Sequence, residues 1–458
     1  MTWILILAIA AVPAGFYTYW LRRDWWFLDP INTFWPLYLM FGVLESATGL
    51  EDWRDSYGAS LVDHVLLLYF VAGLCVCFGY ARPLGRGLGR RLPVAKGVDE
   101  PHRFLLLGYA TLALGLLAQL YIIREAGGME KFLAVARGSV DYSRISVFTL
   151  TLIGFIPVGL LIILCTTYAD GRYVFLRRAA LAATALYGAW SVYAGTRSGL
   201  ILTATILFGA VYGAGRRNPS LLVITGALAA IVVGVGFTTV SRGRFVGGSY
   251  NRELAVTDAL DESLNWYKGS EGGDVVLGSE FGMSMAAVRY VGDEVPYDAG
   301  YMMLELFTRQ IPRAIWPDKI YPEGKAWDTL HRAAGTARTV NAAGYLSGPA
   351  PGLIGKWYYM FGVPGVILGG IWTGIFLRML QTYVRRYEGV SGAILAVGLF
   401  MFGFSEMNNP FGWVFGWLPT TGIGVFLVVL LGRKGAITPW VSAAPYGLPD
   451  DESQVGAG

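Results

Sequence analysis

The sequence predicts an all-α integral membrane protein that crosses the bilayer many times. Hydrophobic residues make up 54% of the 458 residues and charged residues only 15%, whereas an ordinary soluble domain is about one quarter charged. The mean hydropathy is +0.49. Aromatic residues are abundant, with 15 Trp, 26 Tyr and 24 Phe, as expected of a protein that places rings at two membrane interfaces. These values exclude a disordered or fibrous chain and most soluble enzymes.

A membrane-spanning helix needs about 20 mostly apolar residues, and about eleven segments meet that requirement. They lie near 2–20, 27–47, 59–80, 104–123, 146–168, 179–195, 199–214, 220–240, 352–377, 390–405 and 418–431. The segments 179–195 and 199–214 have almost no connecting loop, which predicts that one of them is tilted or broken.

The positive charges predict the orientation, because cytoplasmic loops carry an excess of Lys and Arg. Alternate loops hold Arg22, Arg23, Arg82, Arg86, Arg90, Arg91, Lys96, Arg172, Arg177, Arg178, Arg216, Arg217, Arg378, Arg385, Arg386, Arg433 and Lys434. The first span lacks a basic segment before it and is followed by Arg22 and Arg23, which favours a retained span over a cleaved signal peptide. We therefore expect the N-terminus outside and the C-terminus in the cytoplasm.

The chain divides into four parts on this interpretation. Residues 1–240 hold eight spans, 241–351 form a large outer loop, 352–432 hold three spans, and 433–458 form a disordered cytoplasmic tail. Within the outer loop, 253–266 and 280–292 are expected to be short amphipathic helices. A loop of this length is usually functional.

Several classes of function lack support. Cys75, Cys77 and Cys165 lie in apolar runs, which indicates small buried side chains and neither a disulfide framework nor a metal site. The sequence has no zinc-hydrolase, P-loop or dinucleotide-binding motif. The basic loops orient a membrane protein and require no nucleic acid, so we expect no cofactor and no metal.

Positive charge on the outer side predicts an anionic partner. Cations recur there at Arg197, Arg242, Arg244, Arg289, Arg309, Arg313, Lys319 and Arg338, against the usual bias. Arg197 lies in the short turn between two spans, and Arg313 lies in a Pro- and Trp-rich stretch over 308–319. Both places also suit an interfacial anchor. Arginine, however, is the side chain best matched to phosphate, and a lipid-linked diphosphate is the natural anion beside a bilayer.

Transfer of a sugar from such a lipid-linked diphosphate would need a general base for the acceptor hydroxyl, and four outer residues qualify. They are Glu305, Asp318, His331 and Glu406. Lys356, Tyr358 and Tyr359 are expected at the outer entrance of the ninth span. There, Lys356 suits a phosphate, and Tyr358 and Tyr359 suit sugar rings, as do Tyr301 and Trp316. An aromatic interface belt explains the rings equally well.

The order of these pieces resembles the bacterial O-antigen or oligosaccharide-repeat-unit polymerases, the Wzy-like family. The pieces are Asp29-Pro30 with Phe34 and Tyr38, Ala126-Gly127-Gly128, Gly195-Thr196-Arg197, Val295-Pro296 to Gly300-Tyr301, Ile311-Pro312-Arg313 with Trp316-Pro317-Asp318-Lys319, and Tyr359-x-Phe361-Gly362-x-x-Gly365. The resemblance covers roughly residues 27–432.

The resemblance implies a GT-C-like polymerase or ligase architecture in the bacterial cytoplasmic membrane. It implies a metal-independent enzyme that joins oligosaccharide units carried on undecaprenyl diphosphate, with arginines stabilising the diphosphate leaving group. Carried over, the motif favours Arg197 and Arg313, followed by Arg289, Arg309 and Lys319. A flippase and a chain-length regulator of the same pathway are the implied partners.

Two other classes remain open. An O-antigen ligase would share the architecture. Another lipid-linked glycosyltransferase, a lipid-phosphate-sugar transferase of the C type, would use acids in its first outer loop, where Glu51 and Asp52 are available. The large loop follows the eighth span and not the first, which disfavours this C-type transferase. A transporter or flippase would need buried charges within the membrane, and only Asp63 and His64 suggest such a pair. The sugars, their linkage and the oligomeric state are not predicted.

Overall fold

A computed structural model describes most of the membrane part and portions of the outer part. It describes residues 1–20, 26–95, 97–129, 132, 152–193, 197–213, 218–220, 222–226, 280–304, 316, 322–334, 339–340, 346–347, 351–408 and 422–434. The expected helix 253–266 and the tail after Lys434 lie outside these residues, as does most of the predicted span 220–240.

The described part is almost entirely helical. Its helices are α1 (Thr2–Trp20), α2 (Ile31–Leu39), α3 (Ser46–Thr48), α4 (Leu50–Tyr57), α5 (Ala59–Ala81), α6 (Pro83–Arg91), α7 (Pro101–Glu125), α8 (Phe155–Ala169), α9 (Val174–Tyr193), α10 (Arg197–Phe208), α11 (Glu280–Tyr290), α12 (Pro322–Ala334), α13 (Gly352–Val384), α14 (Gly389–Asn408) and α15 (Ile423–Gly432). Met40–Glu45 and Gly209–Gly213 are π-helical, while Gly171–Tyr173 and Tyr301–Leu304 are 3₁₀ turns.

Four two-residue strands form two small antiparallel pairs. β1 (Val98–Asp99) pairs with β4 (Arg433–Lys434), with Asp99 opposite Arg433. β2 (Thr339–Val340) pairs with β3 (Leu346–Ser347). The first pair joins the loop before α7 to the end of α15, so it fixes two distant parts of the chain side by side.

Four of the described helices are long and apolar enough to cross a membrane: α1, α5, α7 and α13. A fifth span is possible across α8 and α9, which are bent by 115° relative to each other. The chain is thus an all-α membrane protein, whereas the count of about eleven spans stays a prediction. Within the described part of the expected span 146–168, α8 begins at Phe155, after a turn at Ile153–Gly154.

Helices α5 and α13 pack closely. A Cβ atom at Gly79 would lie 2.1 Å from the Ile371 carbonyl oxygen, and one at Gly374 would lie 2.2 Å from that of Val76. Small residues therefore let the two backbones approach each other. Gly365 and Gly369 make room within α13 itself, because a Cβ atom at either would collide with Trp357 of the same helix.

Two large apolar cores and two small clusters lie within the described residues. The first joins α1, α2, α5, α11, α12 and the first half of α13, and it contains Trp35, Tyr38 and Phe281. The second joins α7, α8, α14 and α15 with parts of α9 and α10, and it contains Phe104 and Ile394. Helix α13 begins in the first core, and its last residue, Val384, belongs to the second.

The basic loops meet at one end of the bundle, which we call the basic end. Arg385 binds the buried carboxylate of Asp29 at 2.6 Å, and Gln381 donates to the same carboxylate at 2.8 Å. Arg433 lies 3.4 Å from Asp99. The loops after α1, before α7, after α13 and after α15 therefore share one end, as the charge pattern predicts. That this end faces the cytoplasm stays a prediction.

Helix α11 corrects the expectation of an amphipathic surface helix over 280–292. The helix is present over Glu280–Tyr290, but every residue from Phe281 to Ala287 is buried. Its Gly282, Ser284, Ala286 and Ala287 have small side chains, so the helix fits between α5 and α13 without a solvent face. Only its last turn, with Arg289, is exposed.

Candidate functional site

The candidate site lies at the end of the bundle opposite the basic end. Two described segments, 280–304 and 322–334, cover the first turns of α13 there, and we call them the cap. The cap belongs to the same apolar core as α1, α2 and α5. Its buried polar side chains are therefore held by a rigid part of the fold.

Glu45 holds the beginning of α11. This residue ends the π-helical segment that follows α2, and its Oε2 atom accepts a hydrogen bond of 3.1 Å from the backbone N–H of Phe281. The carboxylate thus meets the positive end of the α11 dipole, which stabilises a helix by about 0.3–1 kcal/mol at exposed sites and more where partly buried. π-helical turns occur frequently at functional sites.

Ser284 joins three elements in the core of the cap. Its Oγ atom lies 3.0 Å from the carbonyl oxygen of Pro351 and 3.1 Å from that of Glu280. The hydroxyl of Tyr69 lies 3.4 Å away. A serine hydroxyl has one proton to donate, so Ser284 donates to one carbonyl and can accept from Tyr69. Helices α5, α11 and α13 are tied together at this point.

Lys356 lies in the first turn of α13, one residue after the close approach of Gly355 to Ser284. Its side chain is only 2% exposed, so it does not stand at the solvent-facing entrance where the sequence placed it. The reason is α11, which packs over this turn. Lysine is rarely buried to this extent, so Lys356 belongs to the packed interior of the cap.

His331 faces the inside of the cap. It is 2% exposed and follows the buried Ala326 and Leu330 on α12, and Trp327 of the same helix packs on Tyr359 with ring centroids 5.6 Å apart. Burial lowers the pKa of the His331 imidazole, and the nearby Asp328 carboxylate partly opposes that effect. The lowered pKa favours the neutral form of the imidazole.

Helix α13 is broken at Gly362, and backbone N–H groups of the cap bind the carbonyls that the break leaves without helical partners. Gly362 has φ 66° and ψ −148°, and Pro364 has no backbone N–H. The carbonyls of Tyr359 and Met360 instead accept from the N–H groups of Asp298 and Ala299, each at 3.0 Å. The loop and the broken helix thus complete each other's hydrogen bonding.

The predicted glycan-binding rings fall into two groups. Tyr301 is 44% exposed and Trp316 is 41% exposed, so both can meet a ligand. Tyr358 is half-buried and lies against Tyr297, with ring centroids 6.3 Å apart. Tyr359 is 4% exposed and packs on Trp327, so its ring supports the cap and is not available for stacking on a sugar.

The predicted cations are described only in part. Arg289 is exposed at the end of α11, and Arg197 begins α10. Arg309, Arg313 and Lys319 lie outside the described residues, as do Glu305 and Asp318. Glu406 lies in the last turn of α14. The neighbouring carbonyl of Met407 is close to Gly352, which brings this turn to the start of α13.

The structure adds residues that the sequence did not single out. Glu45 and Ser284 connect the cap to the spans. Asp298, which the sequence had singled out, accepts a 2.6 Å hydrogen bond at its carboxylate from the Met302 N–H. Gly292 and Gly300 have positive φ, which favours glycine. The sequence signal was the stretch Val295-Pro296 to Gly300-Tyr301.

Within the described ranges, no three His, Cys, Asp or Glu side chains come together as metal ligands. Comparison of the chain with protein-family models, with curated proteins and with solved structures finds no match.

Proposed function

We propose that the protein is a membrane glycosyltransferase that joins undecaprenyl-diphosphate-linked oligosaccharide units at the cap end of the bundle. The observation that supports this most is the pairing of enclosed polar groups with exposed rings. His331 and Lys356 are buried in the cap, and Tyr297 and Tyr301 of the cap are 46% and 44% exposed. Sugar rings stack on such faces.

The proposed reaction is a displacement at the anomeric carbon of the donor chain. A hydroxyl oxygen of the acceptor sugar forms the new bond to this carbon, the bond to the phosphate oxygen breaks, and the lipid diphosphate leaves. The acceptor proton passes to a base, and Glu305, Asp318 and Glu406 are the proposed bases, because His331 is enclosed in the cap. Arg197, Arg313, Arg289, Arg309 and Lys319 are the proposed diphosphate ligands, since fixed cations stabilise charge that develops on a leaving group.

A ligase is the alternative with the most similar reaction, because it would use the same donor and transfer the chain to a different acceptor. A transporter is favoured by one observation, the break of α13 at Gly362, since transporters bind substrates at broken helices. That reading requires a second, symmetry-related broken helix. The cap stabilises the break of α13 through backbone hydrogen bonds, which suits a fixed site.

The test is a gene deletion followed by analysis of lipid-linked glycans in the membrane. If the proposal is right, single repeat units accumulate on the lipid diphosphate. Accumulation of long lipid-linked chains would identify a ligase. An unchanged lipid-linked pool would reject the glycan proposal altogether and favour transport.

The same assay tests the two leading arginines. We expect Arg197→Ala and Arg313→Ala each to abolish polymer while the protein remains in the membrane, and lysine at either position to restore little, because the bidentate fork is lost. Arg103→Ala is the control, since Arg103 is exposed at the basic end and pairs with Glu100. Normal polymer in both Ala variants would show that the diphosphate ligands are assigned wrongly.

A further inference from the structure

Helix α6 lies directly on α13 at the basic end. A Cβ atom at Gly85 would be 2.5 Å from the carbonyl oxygen of Ile375, and one at Gly89 would be 2.5 Å from that of Met379. The two glycines are one turn apart, so they form the contact face of the helix. Arg386 donates to the carbonyl of Gly89 at 3.1 Å, which holds the end of α6 in place.

This packing brings three arginines together. Arg86 and Arg90 follow the two contact glycines on α6 and are exposed. The Cβ atom of Arg378 lies 2.9 Å from the position that a Gly85 side chain would take. Its guanidinium lies 5.2 Å from the centre of the Tyr80 ring and donates to Gln381. The third cation is thus fixed beside α6.

The cluster carries unbalanced positive charge. Burial, together with the charges of Arg378 and Arg90, lowers the pKa of the Arg86 guanidinium. Within the part of the chain that the structure describes, no carboxylate pairs with Arg86 or Arg90. Two acids of this end are already engaged, with Asp29 bound to Arg385 and Asp99 bound to Arg433. Like charges held at short range favour binding of an anion.

Exposed apolar side chains also lie at the basic end, on α5 and α6. Leu84 is 56% exposed and Phe78 is 48% exposed. The guanidinium of Arg82 lies 4.0 Å from the centre of the Phe78 ring. A cation beside exposed apolar side chains at the end of a spanning helix is the arrangement expected at the headgroup level of a bilayer.

We propose that Arg86, Arg90 and Arg378 bind the phosphodiester of an anionic phospholipid in the leaflet at the basic end. Guanidinium groups match phosphate through paired N–H donors. Basic pockets between spanning helices are known sites for such headgroups. The site is separate from the cap and does not depend on the proposed transferase activity.

The test is native mass spectrometry of the purified full chain with dioctanoyl phosphatidylglycerol or dioctanoyl phosphatidylcholine. We expect the wild-type protein to retain phosphatidylglycerol preferentially. In Arg86→Ala/Arg90→Ala its affinity should fall about thirtyfold, from the loss of two cations at about a kcal/mol each. Arg172→Ala/Arg178→Ala is the matched control, because it removes two exposed arginines from another loop, and it should bind like wild type.

Three outcomes overturn the proposal. They are equal retention of both lipids by the wild type, equal losses in the two double variants, and competition by inorganic phosphate at the same concentration as the lipid. The last would assign the cluster to free phosphate. The comparison of the two lipids uses the wild-type protein alone, so it remains decisive if Arg86→Ala/Arg90→Ala fails to fold.

Discussion

His331 makes the stability of the cap depend on pH. Its pKa is lowered in the folded state by burial, so the unfolded chain binds its proton at a higher pH than the folded one. Stability from the neutral form is present above the unfolded pKa, about 6.5, and is lost as the pH falls toward the folded pKa. We expect thermal unfolding in detergent to occur at a lower temperature at pH 5.5 than at pH 7.5.

The His331→Gln variant should lose part of that difference, because glutamine does not titrate. His102→Gln is the control, since the His102 side chain is 72% exposed and should leave the difference unchanged. If His331→Gln kept the whole pH dependence, the acid sensitivity would belong to other groups.

Glu45 contributes to stability through a hydrogen bond that joins two elements. Glu45→Ala removes the acceptor of the Phe281 N–H, and hydrogen bonds to charged groups contribute about 1.5–3 kcal/mol. We expect a loss of that order in the free energy of unfolding and a smaller loss in Glu45→Gln, which keeps an acceptor. Chemical denaturation measures both. Glu51→Ala on the exposed side of α4 should cost little, and an equal cost there would contradict the capping role.

At the scale of elements, the pairing of α5 and α13 depends on the absence of side-chain atoms. Gly79→Ala places a Cβ atom 2.1 Å from the Ile371 carbonyl oxygen if nothing moves. The helices must separate, and overpacking of this kind typically costs about 1–3 kcal/mol. Gly15→Ala in α1 is the matched control, because no atom lies within 4 Å of its Cβ position. A thermal-shift measurement should show a lower midpoint only for Gly79→Ala.

Helices were predictable from sequence where a long apolar run coincides with one element. The segments 2–20 and 59–80 match α1 and α5 closely. The π-helical turn Met40–Glu45 and the break at Gly362 were not predicted, because they depend on partners distant in the chain. At Gly362, the hydrogen bonds that replace the helical ones come from Asp298 and Ala299, and no local pattern reports such contacts.

The candidate site was predictable in residue type and not in burial. Charge and aromaticity singled out His331, Lys356 and Tyr359, yet all three are buried. Their burial depends on α11, whose small residues pack against the start of α13. Glu45 and Ser284 were missed because each has the local pattern of an ordinary helix end or a buried polar residue, and their roles appear only in contacts between elements.

At the scale of the whole molecule, the two ends of the bundle should face opposite sides of the membrane. In a background without Cys75, Cys77 and Cys165, we expect Arg289→Cys to react with a membrane-impermeant maleimide in intact spheroplasts. Arg178→Cys should react only after permeabilisation. Both positions are exposed, so access to the reagent and not burial decides the result. Labelling of both positions from one side would overturn the predicted topology.

The two apolar cores set the order in which the protein can be assembled. The first core joins α1, α2 and α5 to α11 and the first half of α13, so the early helices leave the ribosome long before their partners exist. Until then, Trp35 and Tyr38 must be covered by lipid or by an insertion factor. The second core also waits for α14 and α15. A chain stalled before residue 352 would lack part of both cores. We expect membrane quality-control proteases to degrade it, because its helices would not be packed together.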